Sequence, residues 1–250
     1  MRPVYIVGAG PGDPELITVK GARLLREADL VVYAGSLIPS ALLQYVSPQA
    51  ALYNSAELDR EEIVRLLEEG ARADKTVVRL SSGDPSLYGA LAELVSELEK
   101  RGIPCEVVPG VSSFLAAAAR LKREYTLPGV TQTLILTRVA GRTPVPEDLR
   151  ALSQHRASLC LFLSASLAEE AVSALLAGYP PDTPAALVER VTWPEERIFT
   201  CPLAELAQVA RREGVTRTAL VLVGDFLKGE GAPSCLYDPH FSHSYRRGKK

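Results

Sequence analysis

The chain has 250 residues, of which 47% are hydrophobic and 23% charged, as is usual for a globular protein of one large or two modest domains. A net charge of -2 argues against a general nucleic-acid binder, and no apolar run is long enough to span a membrane. Four scattered cysteines and three histidines predict neither a disulfide framework nor a metal site. Without a signal peptide's apolar core, we expect a cytoplasmic protein.

The first predicted strand, Pro3 to Val7, leads into a loop of glycines and prolines, Gly8 to Pro14. A dinucleotide-binding fingerprint would have a third glycine where this chain has Asp13. A carboxylate there would repel a pyrophosphate, which disfavours a nicotinamide or flavin oxidoreductase but leaves it as an alternative. A helix is predicted from Glu15 to Glu27.

The central motif is a second Gly-Asp-Pro turn, within Ser81 to Gly89. An apolar strand precedes it, and helical spacing of leucines follows it over residues 90–100. We expect Asp84 to place a carboxylate at the mouth of a ligand crevice and Pro85 to occupy a first helical position. A strand that runs into a glycine turn is predicted at 28–37, a shorter strand at 51–53 and a helix at 59–71.

A third glycine turn follows the strand at 104–108, where Ser112 or Ser113 can cap an alanine-rich helix. Three strand ends therefore carry glycine turns: Gly8 to Gly12, Gly83 and Gly110. Since parallel strands end at the same sheet edge, these turns predict a ligand trough.

The second half opens after a linker, and we place a domain boundary at 128/129. The strand at 131–138 ends in a proline-stiffened loop, where Arg138 and Arg142 suit an anionic ligand or are solvated surface arginines. The other predicted elements are strands at 158–164, 185–188, 197–199 and 218–224, helices at 167–177 and 203–212, and a hairpin turn at 193–196. Residues 229–250 form a polar tail.

The order of these motifs resembles that of the tetrapyrrole methylases, over roughly residues 3 to 227. The resemblance rests on Tyr5 to Pro14, Gly83-Asp84-Pro85 with Tyr88-Gly89, and Val108 to Ser113. The stretch from Thr131 to Glu147 is similar to the branch that methylates C-11 of precorrin-4 or cobalt-precorrin-4 in cobalamin biosynthesis.

The resemblance implies two α/β domains with a ligand cleft between them, in a cytoplasmic homodimer that uses S-adenosylmethionine and no metal. The acceptor is a tetrapyrrole, and no general base can be nominated. The implied cofactor-binding residues are Pro11, Ser82, Gly83, Asp84, Leu87, Ser112, Ser113, Leu163 and Ala219. The implied substrate-binding residues are Gly8, Gly10, Asp13, Tyr88, Arg138 and Arg142.

One departure bears on the acceptor. Members of the family that act on uroporphyrinogen III tend to carry an acid after the second strand and a lysine after the third. Here those places hold Ala34 to Ser36 and Asn54 to Ala56, which argues against that substrate. Alternatives are methylation of another precorrin, such as precorrin-2 or precorrin-3, or of a modified histidine in a protein, and a non-catalytic tetrapyrrole carrier.

Overall fold

The chain forms two compact α/β units, each built on a five-stranded sheet. The structure is a computed structural model, and it describes residues 1–249. The first unit comprises Met1–Ala116 together with Arg190–Glu196, and the second comprises Ala117–Glu189 and the residues from Arg197 onward. The two-domain α/β class predicted from the sequence is confirmed. The division falls at 116/117, earlier in the chain than the boundary placed at 128/129.

The first unit is a doubly wound parallel sheet. Its strands are β1 (Val4–Gly8), β2 (Leu30–Tyr33), β3 (Ala51–Asn54), β4 (Val77–Ser81) and β5 (Cys105–Val108). Its helices are α1 (Val19–Glu27), α2 (Arg60–Arg72) and α3 (Leu91–Lys100), and α4 (Ser113–Leu121) begins in this unit. The strand order is β3-β2-β4-β1-β5, and every pair in it is parallel.

Apolar residues on both faces of this sheet explain its helical layers. Val7 and Leu80 pack with Leu24 and Leu25 of α1, whereas Val77 on the opposite face packs with α2. Strands that are buried on both faces read as continuous apolar runs, which is how the sequence predicted them. The carboxyl ends of β4, β1 and β5 therefore lie side by side at one edge.

The second unit has a mixed sheet. Its strands are β6 (Leu134–Arg138), β7 (Ser158–Phe162), β8 (Pro184–Glu189), β9 (Arg197–Pro202) and β10 (Ala219–Val223), and its helices are α5 (Leu149–Ser153), α6 (Ala168–Leu175) and α7 (Leu206–Arg212). The order is β6-β7-β10-β8-β9, in which β6 and β7 are parallel and the other pairs antiparallel. The predicted hairpin is confirmed, since β8 and β9 pair up to Glu189 and Arg197.

The prediction that Pro85 occupies a first helical position is wrong. Residues 85–89 form successive turns, and α3 begins only at Leu91, after Ala90 in a left-handed conformation with φ 50°. Tyr88 is also left-handed, with φ 55°, so the backbone leaves the right-handed helical conformation at two positions before α3 begins. Among residues 1–249, no helix is both long and apolar enough to cross a membrane.

Candidate functional site

The three glycine turns lie against one another at the edge formed by β4, β1 and β5. A Cβ atom added to Gly110 would come within 2.2 Å of the Gly83 carbonyl oxygen, and one added to Gly8 within 2.6 Å of the Gly110 Cα. Such distances are far inside van der Waals contact. Only glycine therefore allows the three backbones to approach this closely.

Backbone hydrogen bonds fasten the first turn to the second. Gly10 and Gly83 bond to each other in both directions, with N···O distances of 3.2 and 2.8 Å. Ala9 N also donates to Ser81 O at 2.8 Å. Gly10 and Gly83 have φ values of +82° and +61°, which a residue with a side chain rarely adopts. The trough predicted from three separate motifs is thus a single bonded structure.

Asp84 fastens the second turn to the third. One carboxylate oxygen accepts from Gly110 N at 2.8 Å, and the other accepts from Ser86 N at 2.8 Å and from the Ser86 hydroxyl. Partial burial acts to raise the pKa of the Asp84 carboxyl, but the hydrogen bonds from Ser86 and Gly110 outweigh it and hold that pKa below its ordinary value. Asp84 therefore stays ionised at neutral pH.

The remaining predicted residues of the first unit surround these turns. Ser112 is buried and Ser113 is the first residue of α4. Leu87 is half-buried, and the Tyr88 side chain is 46% exposed. A Cβ on Gly83 would have only ordinary van der Waals contacts, 3.7 Å to Ser112 Cα and 3.9 Å to Ser113 N, so Gly83 faces Ser112 and Ser113 without a clash. The structure brings these predicted residues together at one edge, and Ser82 adjoins them in the chain.

Sequence reasoning missed the hairpin tip, residues 190–196, which joins β8 to β9. Trp193 Nε1 donates to Pro11 O at 3.0 Å, and Asp13 N donates to Thr192 Oγ1 at 2.9 Å. Pro11 and Asp13 were predicted as site residues, but the tip was predicted only as a turn. No local signal marks this contact, because the bonded partners lie about 180 positions apart.

The ends of β2 and β3 are also joined. Asn54 Oδ1 accepts from Gly35 N at 3.1 Å and from Ala56 N at 3.0 Å. A Cβ on Gly35 would lie 2.4 Å from that Asn54 oxygen. At the place without the lysine, the neutral amide of Asn54 therefore binds backbone groups of both places, Gly35 N and Ala56 N.

Four predicted residues belong to the second unit: Arg138, Arg142, Leu163 and Ala219. Arg138 ends β6, Leu163 follows β7, and Ala219 begins β10. Since β6 and β7 are parallel and β10 is antiparallel to β7, Arg138, Leu163 and Ala219 lie at the same end of the sheet. The Leu163 side chain is 68% exposed on a backbone with φ +53°, the kind of strained, solvent-facing position that often marks a functional site.

The two arginines differ in what they bind. Arg138 donates from Nη1 to Thr143 O at 3.2 Å and from Nη2 to Pro144 O at 2.7 Å, so it holds the loop that follows its own strand. Arg142 is exposed on that loop and has no hydrogen bond or ion pair within the described residues. Of the two, Arg142 is therefore the guanidinium available to a carboxylate.

A cavity of about 580 Å³ lies beside Arg138. Its wall includes four carboxylates, from Glu147, Asp148, Glu169 and Glu170, against the two guanidinium groups of Arg138 and Arg150. This excess of carboxylates does not suit an anionic ligand. The loop that follows β6 and carries Arg142, called here the arginine loop, is the better site for one. Within residues 1–249, no group of three or more His, Cys, Asp or Glu side chains could hold a metal ion.

The sequence that forms this edge matches a known family. The chain belongs to the tetrapyrrole (corrin/porphyrin) methylases, whose family model matches residues 3–207. It is 47% identical to the cobalt-precorrin-4 C(11)-methyltransferase of Methanocaldococcus jannaschii, over 100% of this chain and 98% of that protein. It is also 47% identical to the precorrin-4 C(11)-methyltransferase of Pseudomonas aeruginosa, over 98% and 99% of the two chains.

Solved structures agree with this assignment. A cobalt precorrin-4 methyltransferase of cobalamin biosynthesis superposes with a TM-score of 0.87 at 43% identity, covering 90% of this chain and 95% of that one. The uroporphyrin-III C-methyltransferase of Thermus thermophilus, solved with S-adenosylhomocysteine, superposes with a TM-score of 0.78 at 35% identity, covering 92% and 100%. The family predicted from the sequence is confirmed.

Proposed function

We propose that this protein transfers a methyl group from S-adenosylmethionine to C-11 of precorrin-4 or cobalt-precorrin-4. The observation that carries the proposal is 47% identity over essentially the whole chain to proteins of that activity. The neutral Asn54 and Gly35 at the ends of β3 and β2 favour this acceptor over uroporphyrinogen III, because they offer no acid or base.

The edge of the first sheet where the three glycine turns meet, called here the glycine edge, suits the methyl donor. S-adenosylmethionine supplies a methyl group already activated on a cationic sulfonium. A carboxylate has about four acceptor positions, and three hydrogen bonds to Asp84 leave one for a cationic or hydroxyl-bearing ligand. The turn at Gly83, with Ser112 and Ser113 next to it, would hold the donor. The other donor-binding residues we propose are Pro11, Ser82, Leu87, Leu163 and Ala219.

The acceptor is an anionic macrocycle with acetate and propionate side chains. We assign its binding to Gly8, Gly10, Asp13, Tyr88, Arg138 and Arg142. Arg142 would pair with a carboxylate, and Arg138 would hold the loop that carries Arg142. With an activated donor and an electron-rich ring carbon, the protein's main task is to align the two reactants.

A turnover assay with methyl-labelled S-adenosylmethionine tests the proposal. Precorrin-4, cobalt-precorrin-4, precorrin-3 and uroporphyrinogen III are offered side by side, and the products are read by mass and carbon NMR. We expect label at C-11 of a precorrin-4 form. The form that is methylated faster shows whether the acceptor carries cobalt. Label on precorrin-3 or uroporphyrinogen III alone would overturn the proposed acceptor.

The resemblance to the family also supports a cytoplasmic homodimer without a bound metal. Light scattering of the purified protein is expected to give twice the mass of 26.9 kDa for one chain. Metal analysis of the same sample, with turnover repeated after chelation, tests the metal-free assignment. A monomer, or activity that chelation abolishes, would contradict these proposals.

A further inference from the structure

The hairpin tip at 190–196 touches the glycine loop from Gly8 to Asp13, in which we assign Gly8, Gly10 and Asp13 to the acceptor and Pro11 to the donor. We propose that Trp193 and Thr192 are positioning residues for methyl transfer, which hold this loop in the conformation that receives the acceptor. The inference rests on the proposed function, because the acceptor defines what the loop is positioned for.

The tip binds the loop on both sides of Gly12. Pro11 O accepts from the Trp193 indole N–H at 3.0 Å, and Asp13 N donates to the Thr192 hydroxyl at 2.9 Å. The Pro11 carbonyl and the Asp13 N–H are thus each hydrogen-bonded to a side chain of the tip. Moving either side chain would release the loop at that point.

Gly12 shows how close this contact is. A Cβ on Gly12 would lie 2.2 Å from Trp193 Cδ1, 2.6 Å from Trp193 Nε1 and 3.0 Å from Thr192 Oγ1. The indole therefore packs directly on the Gly12 backbone, at a position where φ does not itself demand glycine. The glycine at position 12 is explained by the tip and not by its own turn.

The tip is held in a strained conformation that presents these groups. Thr192 has φ +66° and Arg190 has φ +46°, and a β-branched residue at such an angle is a clear outlier. Thr192 N donates to the Glu196 carboxylate at 2.7 Å, and the Arg190 guanidinium lies 5.9 Å from the centre of the Trp193 ring. Glycine would relieve the strain at position 192 but would lose the hydroxyl that accepts from Asp13 N. The strain is therefore tied to the contact with the loop.

The consequence for catalysis follows from alignment. When the chemistry depends on the placement of two reactants, a small displacement of a binding loop lowers productive binding with no loss of a reacting group. Since Thr192 contacts the backbone of Asp13, which we assign to the acceptor, loss of its hydroxyl should affect the acceptor more than the donor. Loss of the Trp193 N–H, which contacts Pro11 of the donor site, should weaken the binding of both.

Two conservative variants test this inference. Trp193→Phe keeps an aromatic ring but removes the N–H, and Thr192→Gly removes the hydroxyl while relieving the left-handed strain. We expect each to raise the KM for the precorrin-4 form by about fivefold, the equivalent of one neutral hydrogen bond. In Thr192→Gly the Kd for S-adenosylhomocysteine should change by less than about twofold, within the range of an uninvolved site, whereas in Trp193→Phe it should rise together with the acceptor KM.

Tyr179→Phe is the matched control. The Tyr179 hydroxyl donates to Ala157 O at 2.7 Å, so this variant also removes an aromatic donor from a backbone carbonyl, but in the second unit. It should lower the melting temperature without changing the acceptor KM. Thr192→Gly should leave the melting temperature unchanged, since the relief of strain offsets the lost bond, and should raise the acceptor KM. Hydrogen exchange at the Asp13 amide should be faster in Thr192→Gly and unchanged in Tyr179→Phe.

The outcomes separate the two proposals. If wild-type protein methylates no precorrin-4 form, the proposed function fails and this inference fails with it. If wild-type protein is active but both tip variants keep its acceptor KM, only the positioning role is overturned. Equal weakening of donor and acceptor in Thr192→Gly would also overturn it, because that result indicates a general structural role.

Discussion

The two candidate ligand-binding edges are built on opposite principles. In the first unit, backbone is packed on backbone, and Gly8 and Gly110 leave no room for a side chain. In the second unit, the equivalent edge carries exposed side chains, with Arg142 exposed on a loop that Arg138 holds by two hydrogen bonds. The shape of the first edge is therefore inseparable from its folding, whereas the second edge can change its side chains without unfolding. We expect stability to depend on the first and acceptor preference on the second.

The largest effect is expected from a single methyl group at the glycine edge. Gly110→Ala places a Cβ 2.2 Å from the Gly83 carbonyl oxygen and 2.8 Å from Gly8 Cα, and neither backbone can move alone. We expect a loss of about 3 kcal/mol in the free energy of unfolding, measured by urea denaturation, the upper end of what overpacking costs.

Gly141→Ala is the matching change in the arginine loop. Its Cβ would meet only Leu167 Cδ1, at 2.9 Å, which is the tip of a flexible side chain. We expect a loss of less than about 1 kcal/mol, because the leucine can adopt another rotamer. Equal losses for the two alanine variants would remove the contrast between the edges.

An intermediate effect is expected from Asp84→Asn, which keeps the shape of the side chain but removes its charge. Its bonds to Ser86 and Gly110 weaken, and for this partly exposed group we expect a loss of about 1 kcal/mol at pH 7. Asp148→Asn, at the start of α5, is the control, since asparagine caps a helix as well as aspartate does.

The pH dependence of this effect has a defined sign. Because the folded pKa of Asp84 lies below the unfolded value, its stabilisation is present above the unfolded pKa and is lost as the pH falls through the folded pKa. The difference between wild type and Asp84→Asn should therefore shrink below about pH 4. Urea denaturation at pH 7 and pH 3 measures it, and a difference independent of pH would contradict the assigned ionisation.

The smallest effect on folding is expected from Arg142→Ala. The side chain is exposed and has no described partner, so the free energy of unfolding should change by less than about 0.5 kcal/mol. The KM for the precorrin-4 form should rise by about fivefold, the upper range for one exposed ion pair. Donor affinity, measured with S-adenosylhomocysteine, should stay constant.

Arg65→Ala, an exposed arginine on α2, serves as the control for loss of one positive charge. It should leave both KM and stability unchanged. Equal weakening of donor and acceptor in Arg142→Ala, with the fold intact, would remove Arg142 from the acceptor site.

Most of the glycine edge could be predicted because its signals are local. Each turn follows a buried apolar strand, and parallel strands bring such turns to one edge. The error at Pro85 came from treating proline as the start of a helix. The left-handed Tyr88 and Ala90 are set by packing at the edge, and no neighbour in the sequence indicates them.

The tip contact could not be predicted for a different reason. Gly12 lies between Pro11 and Asp13 in a stretch where glycine is expected for turn formation, so its role in admitting the Trp193 ring is hidden. The partners of Arg138 were hidden in the same way, because sequence shows a guanidinium but not the carbonyls that it binds. Contacts between distant segments therefore account for what the sequence left out.

The ring packed on Gly12 also has an optical consequence. Trp193 is the single tryptophan of the chain, so nearly all fluorescence excited at the red edge of aromatic absorption originates from one side chain. Its emission reports the polarity and quenching around one loop. The protein thus carries a built-in probe at the place where the acceptor is proposed to bind, and each ligand can be followed by spectroscopy without a label.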